Sequence, residues 1–293
     1  MSTQITTAFV NQFSSNVSML SQQMGSLLRP AVDVESVTGE KAFFDQVGEA
    51  AAVARTSRHQ DTPLVTTPHS RRQVSLTTFE WADLIDDSDK FRMLIDPTSS
   101  YARAAAAAIG RAMDDEIIDA LGGDAKTGKD GSTTTSFPAG QKIAVGGAGL
   151  TIAKLVSAKK LLDANDVDPS VKRYIVVSPE QIEDLLNSTT VTSSDFNTVK
   201  ALVQGDINTF VGFEFIVSNR LKVDGSSNRL VYAFAQDGIK LAVGKDVMAR
   251  IEERADKSFS TQIYYCASFG STRMEEDKVV EIACSEEGGL NNG

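Results

Sequence analysis

The sequence predicts an α+β protein whose helices and strands are unevenly spread along the chain. Three observations carry that prediction. A long, alanine-rich helical pattern runs from Ser99 to Leu121. Strand and helix patterns then alternate between about 145 and 244. From Lys245 onward the pattern is long strands with no helical period among them. A chain of 293 residues suits one large domain or two modest ones.

Composition narrows the function class before any motif is read. With 41% hydrophobic and 23% charged residues the profile is that of an ordinary globular chain and argues against wholesale disorder. Lys plus Arg number 29 and Asp plus Glu 39, a formal net charge of −10. That balance disfavours a protein that coats itself in nucleic acid by bulk charge. The two cysteines, Cys266 and Cys284, are too few for a disulfide framework or a four-cysteine zinc site. Two histidines, His59 and His69, leave little for histidine-based catalysis. The first basic residue is Arg29, so no positive segment precedes an apolar one, and no apolar run approaches the roughly 20 residues that span a bilayer. A soluble, cytoplasmically made protein with reduced cysteines is expected.

The elements follow in order. Before Arg29 no side chain is charged, and Phe13, Val17, Leu20, Met24 and Leu27 recur at spacings of three and four. This is a helical apolar stripe that needs a surface to lie on, in this subunit or a neighbour; an intrachain core helix fits the periodicity equally. Residues 39–80 are punctuated by Gly39, Gly48, Pro63 and Pro68, and carry Arg55, Arg58, Arg71 and Arg72. Val74, Leu76 and Thr78 alternate with polar residues as in a strand. The stretch from Val53 to Pro68 has too few apolar residues for a core, so the region reads as a long hairpin or else as a disordered surface loop. Asp96-Pro97-Thr98-Ser99 then opens a helix and Gly122-Gly123 stops it. Tyr101, Ala105, Ala108, Ala112, Ile117 and Leu121 keep its period. At about 1.5 Å per residue the rod is roughly 35 Å long, and five consecutive alanines, Ala104 to Ala108, favour helix and close backbone approach.

Residues 123–141 have a turn-and-loop composition. Ile152, Leu155, Val156 and Leu162 mark a helix, and Arg173 to Val177 a buried strand. Ser178-Pro179-Glu180-Gln181 is a capping box for a helix carrying Ile182, Leu185 and Leu186. A further helix is read over Asp195–Val203 and a strand over Gly212–Val217. Leu230–Ala235 and Ile239–Val243 read as a hairpin across Asp237-Gly238. Val247–Glu253, Phe259–Phe269 and Lys278–Ala283 are strands, and Glu286–Gly293 a polar tail.

Candidate catalytic and binding motifs are weak. Gly123 to Asp130 nearly fits a phosphate-binding loop, but Asp130 stands where a hydroxyl should hold Mg²⁺, and the loop follows a helix instead of a strand. Gly147 and Gly149 precede a helix as a dinucleotide fingerprint would, but Ile152 occupies the third glycine position. That segment reads as a glycine-rich hinge. The acidic clusters at Asp83, Asp86, Asp87 and Asp89 and at Asp114, Asp115 and Glu116 lack calcium-loop spacing and read as solvated faces or intersubunit salt bridges. Cys266, in an aromatic strand, reads as a packing residue. No cofactor or metal is indicated.

The order of these pieces is distinctive: an uncharged arm, a long hairpin, a long helix, an α/β stretch, then returning strands. It resembles the major capsid protein of tailed double-stranded DNA bacteriophages, the Hong Kong 97-type fold. The stretches that carry the resemblance are Gly39 to Asp45, Arg71-Arg72, the Tyr101–Leu121 helix, Val177-Ser178-Pro179, and Gly205-Asp206-Ile207 leading to Gly212-Phe213. The resemblance implies an N-terminal arm at 1–38 and an extended loop at 39–80 that lies over an adjacent subunit. It implies a peripheral domain at 81–144 and 245–285 with a spine helix at 99–121, an axial domain at 145–244, and a flexible tail at 286–293. It further implies assembly into pentamers and hexamers of an icosahedral shell around double-stranded DNA, in the bacterial host cytoplasm and then in the virion. A separate scaffolding protein, a portal and a decoration protein are the implied partners. The family's self-crosslinking chemistry is not carried over, because neither its lysine nor its asparagine matches a position here.

Shell proteins need self-complementary surfaces and no catalytic pocket. Phe13, Leu20 and Met24 of the arm, and Arg55, Arg58, Arg71 and Arg72 of the hairpin facing Asp86 and Asp87 of another subunit, are the candidate intersubunit residues. An acidic chain also suits a lumen that must not grip packaged DNA by counterion release. The competing readings are an encapsulin-type compartment, which encloses enzymes, and a nucleotide-binding enzyme built around Gly147 and Gly149.

Overall fold

The computed structural model describes residues 21–62, 64–86, 98–187 and 209–286. These fall into two compact units. One is made of residues 21–26, 77–86, 98–113 and 245–269. The other holds the remaining described residues. The fold is mixed α+β, with three helices of eight or more residues among those described.

The larger unit is built on a six-stranded mixed sheet in the order β7 (Lys142–Ile143), β14 (Val279–Ser285), β11 (Asn228–Ala235), β8 (Arg173–Val177), β10 (Phe213–Val217), β9 (Thr209–Phe210). β8 is buried along its whole length, as a continuous Tyr-Ile-Val-Val run must be to leave water. Its neighbours β10, parallel, and β11, antiparallel, satisfy both of its edges. Helix α2 (Ile152–Ala164) packs over β7 and β14 through fully buried Leu155, Ala158 and Leu162. Each such leucine contributes about 1.5–3 kcal/mol of transfer free energy. Thr151 caps α2, its hydroxyl accepting from Lys154 N at 3.3 Å. Helix α3 (Pro179–Asn187) follows β8 directly; Gln181 Oε1 accepts from Ser178 N at 2.9 Å, one half of a capping box.

The same unit holds a four-stranded sheet ordered β2 (Lys41–Val47), β3 (His69–Ser75), β5 (Ala125–Thr127), β6 (Thr133–Thr135). β2 and β3 pair antiparallel from Lys41↔Ser75 to Val47↔His69. Under them Phe44, Val74, Ala242 and Met274 form a small core, joined by Val37, Ala42 and Leu76. β1 (Asp33–Ser36) runs parallel to the first part of β12 (Ile239–Arg254), over Lys240 to Val243.

In the smaller unit β4 (Thr77–Ile85) pairs antiparallel with β13 (Ser260–Arg273), from Thr77↔Phe269 to Ile85↔Thr261. Phe79 stacks on Phe269 at 4.6 Å. Helix α1 (Thr98–Gly122) has 25 residues and lends its first part to this unit and its last to the other. Its buried positions include Ala105, Ile109, Met113, Ile117 and Leu121, an unbroken i, i+4 series, flanked by Ala107, Asp114 and Ile118. The alanines Ala108 and Ala112, which the sequence places on the apolar face, are only half-buried because their short side chains sit beside that series.

Several local readings are corrected. The helical stripe ending at Met24 and Leu27 is not helical over 21–28, where both side chains are exposed. This segment lies flat instead: Gly25 has a positive φ of 88°, and a Cβ on Gly110 of α1 would come within 2.5 Å of the Gly25 backbone. The hairpin across Asp237-Gly238 does not form. β11 already has β14 and β8 on its two edges, so residues 236–238 make a short 3₁₀ turn that sends β12 to a different sheet. The 123–141 stretch contains the short hairpin β5–β6, turning through Gly128 and Gly131 at positive φ. The Val74–Thr78 alternation is two strands, broken where Leu76 N donates to the Glu40 carbonyl at 2.9 Å. Phe13, Val17, Leu20, Asp87, Asp89, the 195–203 helix and the tail beyond Glu286 lie outside the described residues.

Candidate assembly surfaces

The hairpin β2–β3 has a rigid root and an uncovered remainder. At the root, β2 and β3 converge on one carbonyl: Met274 O accepts from Gln46 Nε2 at 2.7 Å and from Arg72 Nε at 2.9 Å. Arg72 is 7% exposed, and its Nη2 donates to both carboxylate oxygens of Glu276, at 2.8 and 2.7 Å. Glu276 also faces Arg273, at 3.7 Å. The Arg273 guanidinium is fully buried; its Nη1 donates to the carbonyls of Leu121 and Gly123, and it lies 4.9 Å from the Phe137 ring centre. Burial lowers its pKa, with Arg72 adding to the effect and Glu276 opposing it. This Arg72–Glu276–Arg273 cluster ties the hairpin root to the end of α1.

One pair further out the character changes. Arg71 forms a two-pronged ion pair with Asp45, its cross-strand partner, and lies over the Phe43 ring at 5.5 Å. The Arg71 hydrogen bond holds the Asp45 carboxyl below its usual pKa, and both groups are open to solvent. Beyond the closing bond from Gly48 N to the Pro68 carbonyl, no described residue belongs to a strand until β3. Val47 at the end of β2, and Val53, Leu64 and Val65 beyond it, are exposed, Leu64 to 98%. Exposed apolar side chains on a segment with no core of its own are the mark of a surface that a partner covers.

The sequence-named candidates separate accordingly. Arg55 and Arg58 are exposed, with Arg55 Nε donating to the Ser57 carbonyl at 2.8 Å. Arg71 is half-committed to Asp45, and Arg72 is engaged within its own chain. Met24 is 59% exposed, and Asp86 is exposed just past the end of β4.

Residues that sequence reasoning missed hold the arm. Asp114, read as part of a solvated cluster, is fully buried, and its carboxylate accepts from Leu27 N at 3.0 Å and Leu28 N at 3.1 Å. Arg111, one turn earlier on α1, donates to Gln22 Oε1 at 2.9 Å and to the Gln23 carbonyl at 3.1 Å. Asp115 pairs with Arg220, and Asp119 with Lys222. No sequence spacing announces these contacts, since the partners lie about a hundred residues apart.

The nucleotide-site motifs resolve into structural roles. Before α2, Asp184 accepts from Leu150 N at 3.2 Å, and a Cβ on Gly149 would overlap that carboxylate. A phosphate would meet a negative group there. Lys154 donates to the carbonyls of Ala148, Gly149 and Ala283 at 2.7–2.9 Å, and burial lowers its pKa. It fastens the glycine hinge to β14. Residues 123–130 hold strand β5 and the start of the β5–β6 turn, with no helix N-terminus at their end. Cys266 and Cys284 are both free and buried, and burial pushes the Cys284 thiol up to about 12. Among the described residues no cluster of metal-ligating side chains occurs, and no helix is long and apolar enough to cross a membrane.

Comparison with known proteins agrees with a surface-building role. No curated protein matches the sequence. Solved structures match over nearly the whole chain. The capsid of the cyanophage P-SCSP1u has a TM-score of 0.72 and 18% identity, covering 95% of this chain and 94% of that one. The capsid of Ralstonia phage GP4 gives 0.70 and 12%, covering 94% of each. A capsid of a native GTA particle gives 0.69 and 13%, covering 97% and 99%. At such identities these likenesses speak to the fold. Membership comes from the phage capsid protein family model, which matches residues 5–286. The chain belongs to the phage capsid protein family, and is a structural capsid protein.

Proposed function

We infer that this chain is the major capsid subunit of a tailed phage, assembling into hexamers and pentamers of an icosahedral shell that encloses double-stranded DNA. The observation that carries the inference is the hairpin: a root pinned by the buried Arg72–Glu276–Arg273 cluster, and beyond it a stretch with Val47, Val53 and Leu64 in water. A rigid root with an uncovered apolar strip is stable only when a neighbouring copy covers the strip. Capsid chains of the same fold, among them those of P-SCSP1u and GP4, support the reading.

In this reading the fold is of the Hong Kong 97 type. Residues 1–38 form the arm, 39–80 the extended loop, 81–144 and 245–285 the peripheral domain, 145–244 the axial domain and 286–293 the tail. Arg55 and Arg58 remain the basic residues available to acidic groups of a neighbour such as Asp86 and Asp87, with Arg71 in reserve behind Asp45. Phe13, Leu20 and Met24 of the arm join the intersubunit contacts. The chain has no catalytic role and takes no cofactor. A scaffolding protein, a portal and a decoration protein are its partners, and assembly takes place in the host cytoplasm before the shell becomes part of the virion.

The test is size-exclusion chromatography with negative-stain microscopy of the purified chain, alone and with its scaffolding protein. Capsomers or closed shells are expected. A stable monomer under all assembly conditions would count decisively against the reading, and shells filled with host enzymes in place of DNA would point to a compartment protein.

A further inference from the structure

Strand β2 is the outermost strand of its sheet. The sheet runs β2, β3, β5, β6, so β2 is paired on one side only. The bonds from Leu76 N to the Glu40 carbonyl and from Gly48 N to the Pro68 carbonyl fix which backbone groups face β3, since these alternate along an antiparallel ladder. Residues 40, 42, 44, 46 and 48 turn their amides and carbonyls toward β3, and Lys41, Phe43, Asp45 and Val47 turn theirs outward. Among the described residues no hydrogen bond reaches that outer row. All four residues are exposed, Phe43 to 41% and Val47 to 68%. A row of unpaired amides and carbonyls beside exposed apolar side chains is a template for another strand.

The side chains along the edge select the partner. We propose that β2 pairs antiparallel with β2 of a second copy, about a two-fold axis through Phe43. In that register Lys41 lies opposite Asp45 twice and Phe43 opposite itself, all on one face. On the other face Ala42 lies opposite Phe44 twice and Glu40 opposite Gln46 twice. No like charges are opposed, directly or diagonally. The outward rows coincide, so Phe43 exchanges both its backbone bonds with its own copy, and each Lys41 with an Asp45. Asp45 then stands between Arg71 of its own hairpin and Lys41 of the second copy, one carboxylate flanked by two cations. The neighbouring registers are poorer. An axis at Ala42 sets Lys41 against Phe43, one at Phe44 sets Phe43 against Asp45, and one at Asp45 sets that carboxylate against itself. The opposite margin of the sheet, β6, offers three threonines and no partner for either charge. Charges on an edge strand discourage chance pairing, whereas an inverted copy meets each of these with the opposite sign. A contact that repeats on itself is the isologous form of a two-fold. This proposal rests on the shell-forming role argued above and names a contact within it.

The test is disulfide trapping in assembled particles. Phe43→Cys is expected to give covalent dimers on mild oxidation, because position 43 meets its own copy within disulfide reach. Lys41→Cys or Asp45→Cys alone should give none, since four residues at about 3.3 Å each hold either position about 13 Å from its own copy. Particles assembled from a mixture of those two variants should trap about tenfold more dimer than either alone, because position 41 meets position 45. Cys266 and Cys284 are buried and do not compete. The mixture decides the matter if Phe43→Cys fails to assemble. Intact particles in which neither Phe43→Cys nor the mixture gives covalent dimers, or in which Lys41→Cys alone traps as well as the mixture, would overturn the edge pairing while leaving the shell intact as a conclusion. A wild-type chain that forms no capsomers or shells would instead remove the assembly role and this contact with it.

Discussion

Two adjacent arginines of β3 differ sharply in environment, and replacing each by alanine separates a buried contact from an exposed one. Arg72→Ala removes three hydrogen bonds: two charged ones to Glu276, at 2.8 and 2.7 Å, and one to the Met274 carbonyl at 2.9 Å. Breaking a buried ion pair costs about 3–5 kcal/mol. Two features lower that figure. Glu276 is 20% exposed and keeps Arg273 at 3.7 Å, and the Met274 carbonyl keeps Gln46. A loss of about 2–3 kcal/mol remains, which is roughly a 30- to 150-fold rise in opening of the hairpin root. Arg71→Ala removes a solvent-exposed pair, screened by water, and should change opening of the hairpin root far less than Arg72→Ala does. Hydrogen exchange followed by mass spectrometry on peptides spanning β2 and β3 reads the two changes side by side in unassembled subunits. Equal acceleration by the two variants, or Arg72→Ala within threefold of wild type, would refute the idea that burial of the Arg72–Glu276 pair anchors the hairpin.

Three further outcomes follow from the geometry. Gly110→Ala gains helix propensity of about 1 kcal/mol but drives a methyl group into the Gly25 backbone, so α1 should persist while protease cleavage within 21–28 quickens; unchanged cleavage would contradict the close approach. Burial raises the pKa of Asp184, so its stabilising contribution is complete below the ordinary carboxylate value near 3.8 and is lost as pH rises through the raised folded value. Asp184→Asn should therefore flatten the fall in stability just above pH 3.8, read by denaturant titration at a series of pH values, and an unaltered slope would count against it. Both thiols should resist a disulfide reagent at pH 8 until the chain unfolds, with the Cys284 pKa of about 12 slowing it further; fast native labelling of either would show that the site is open.

Much of the architecture was legible in the residues. Helix α1, strand β8 and the Ser178–Gln181 cap follow from periodicity, β-branched runs and capping chemistry, which act between residues at most four apart. The buried packing role of Cys266 also followed from its aromatic, strand-like surroundings. The arm did not. A spacing of three and four from Phe13 to Leu27 describes a helix as well as it describes a segment lying on α1, and over 21–28 the choice falls to Asp114 and Arg111, which supply hydrogen-bond partners to an irregular backbone. The candidate surfaces were legible as regions and not as contacts. Four arginines marked the hairpin, yet which of them stays available depended on Asp45 and Glu276, the second of them 204 residues from its partner.

The sequence by itself determined the mixed α+β class, the long helix, the absence of recognisable catalytic spacing and the resemblance to phage capsid proteins, because each of these is written in composition, local period or the order of segments. Only the tertiary structure decided where strands found their partners. Asp237-Gly238 looks like a hairpin turn, but β11 has both edges taken by β8 and β14, so β12 must leave for another sheet. It also decided which charges are buried: Arg72, Arg273 and Asp114 are indistinguishable from surface residues until the chain brings a carboxylate, a carbonyl or an amide from far along its length to meet them. The physical reason is the same in both cases. Local propensity acts among neighbours in the chain, whereas strand edges and buried charges are satisfied by groups that only the folded whole can deliver.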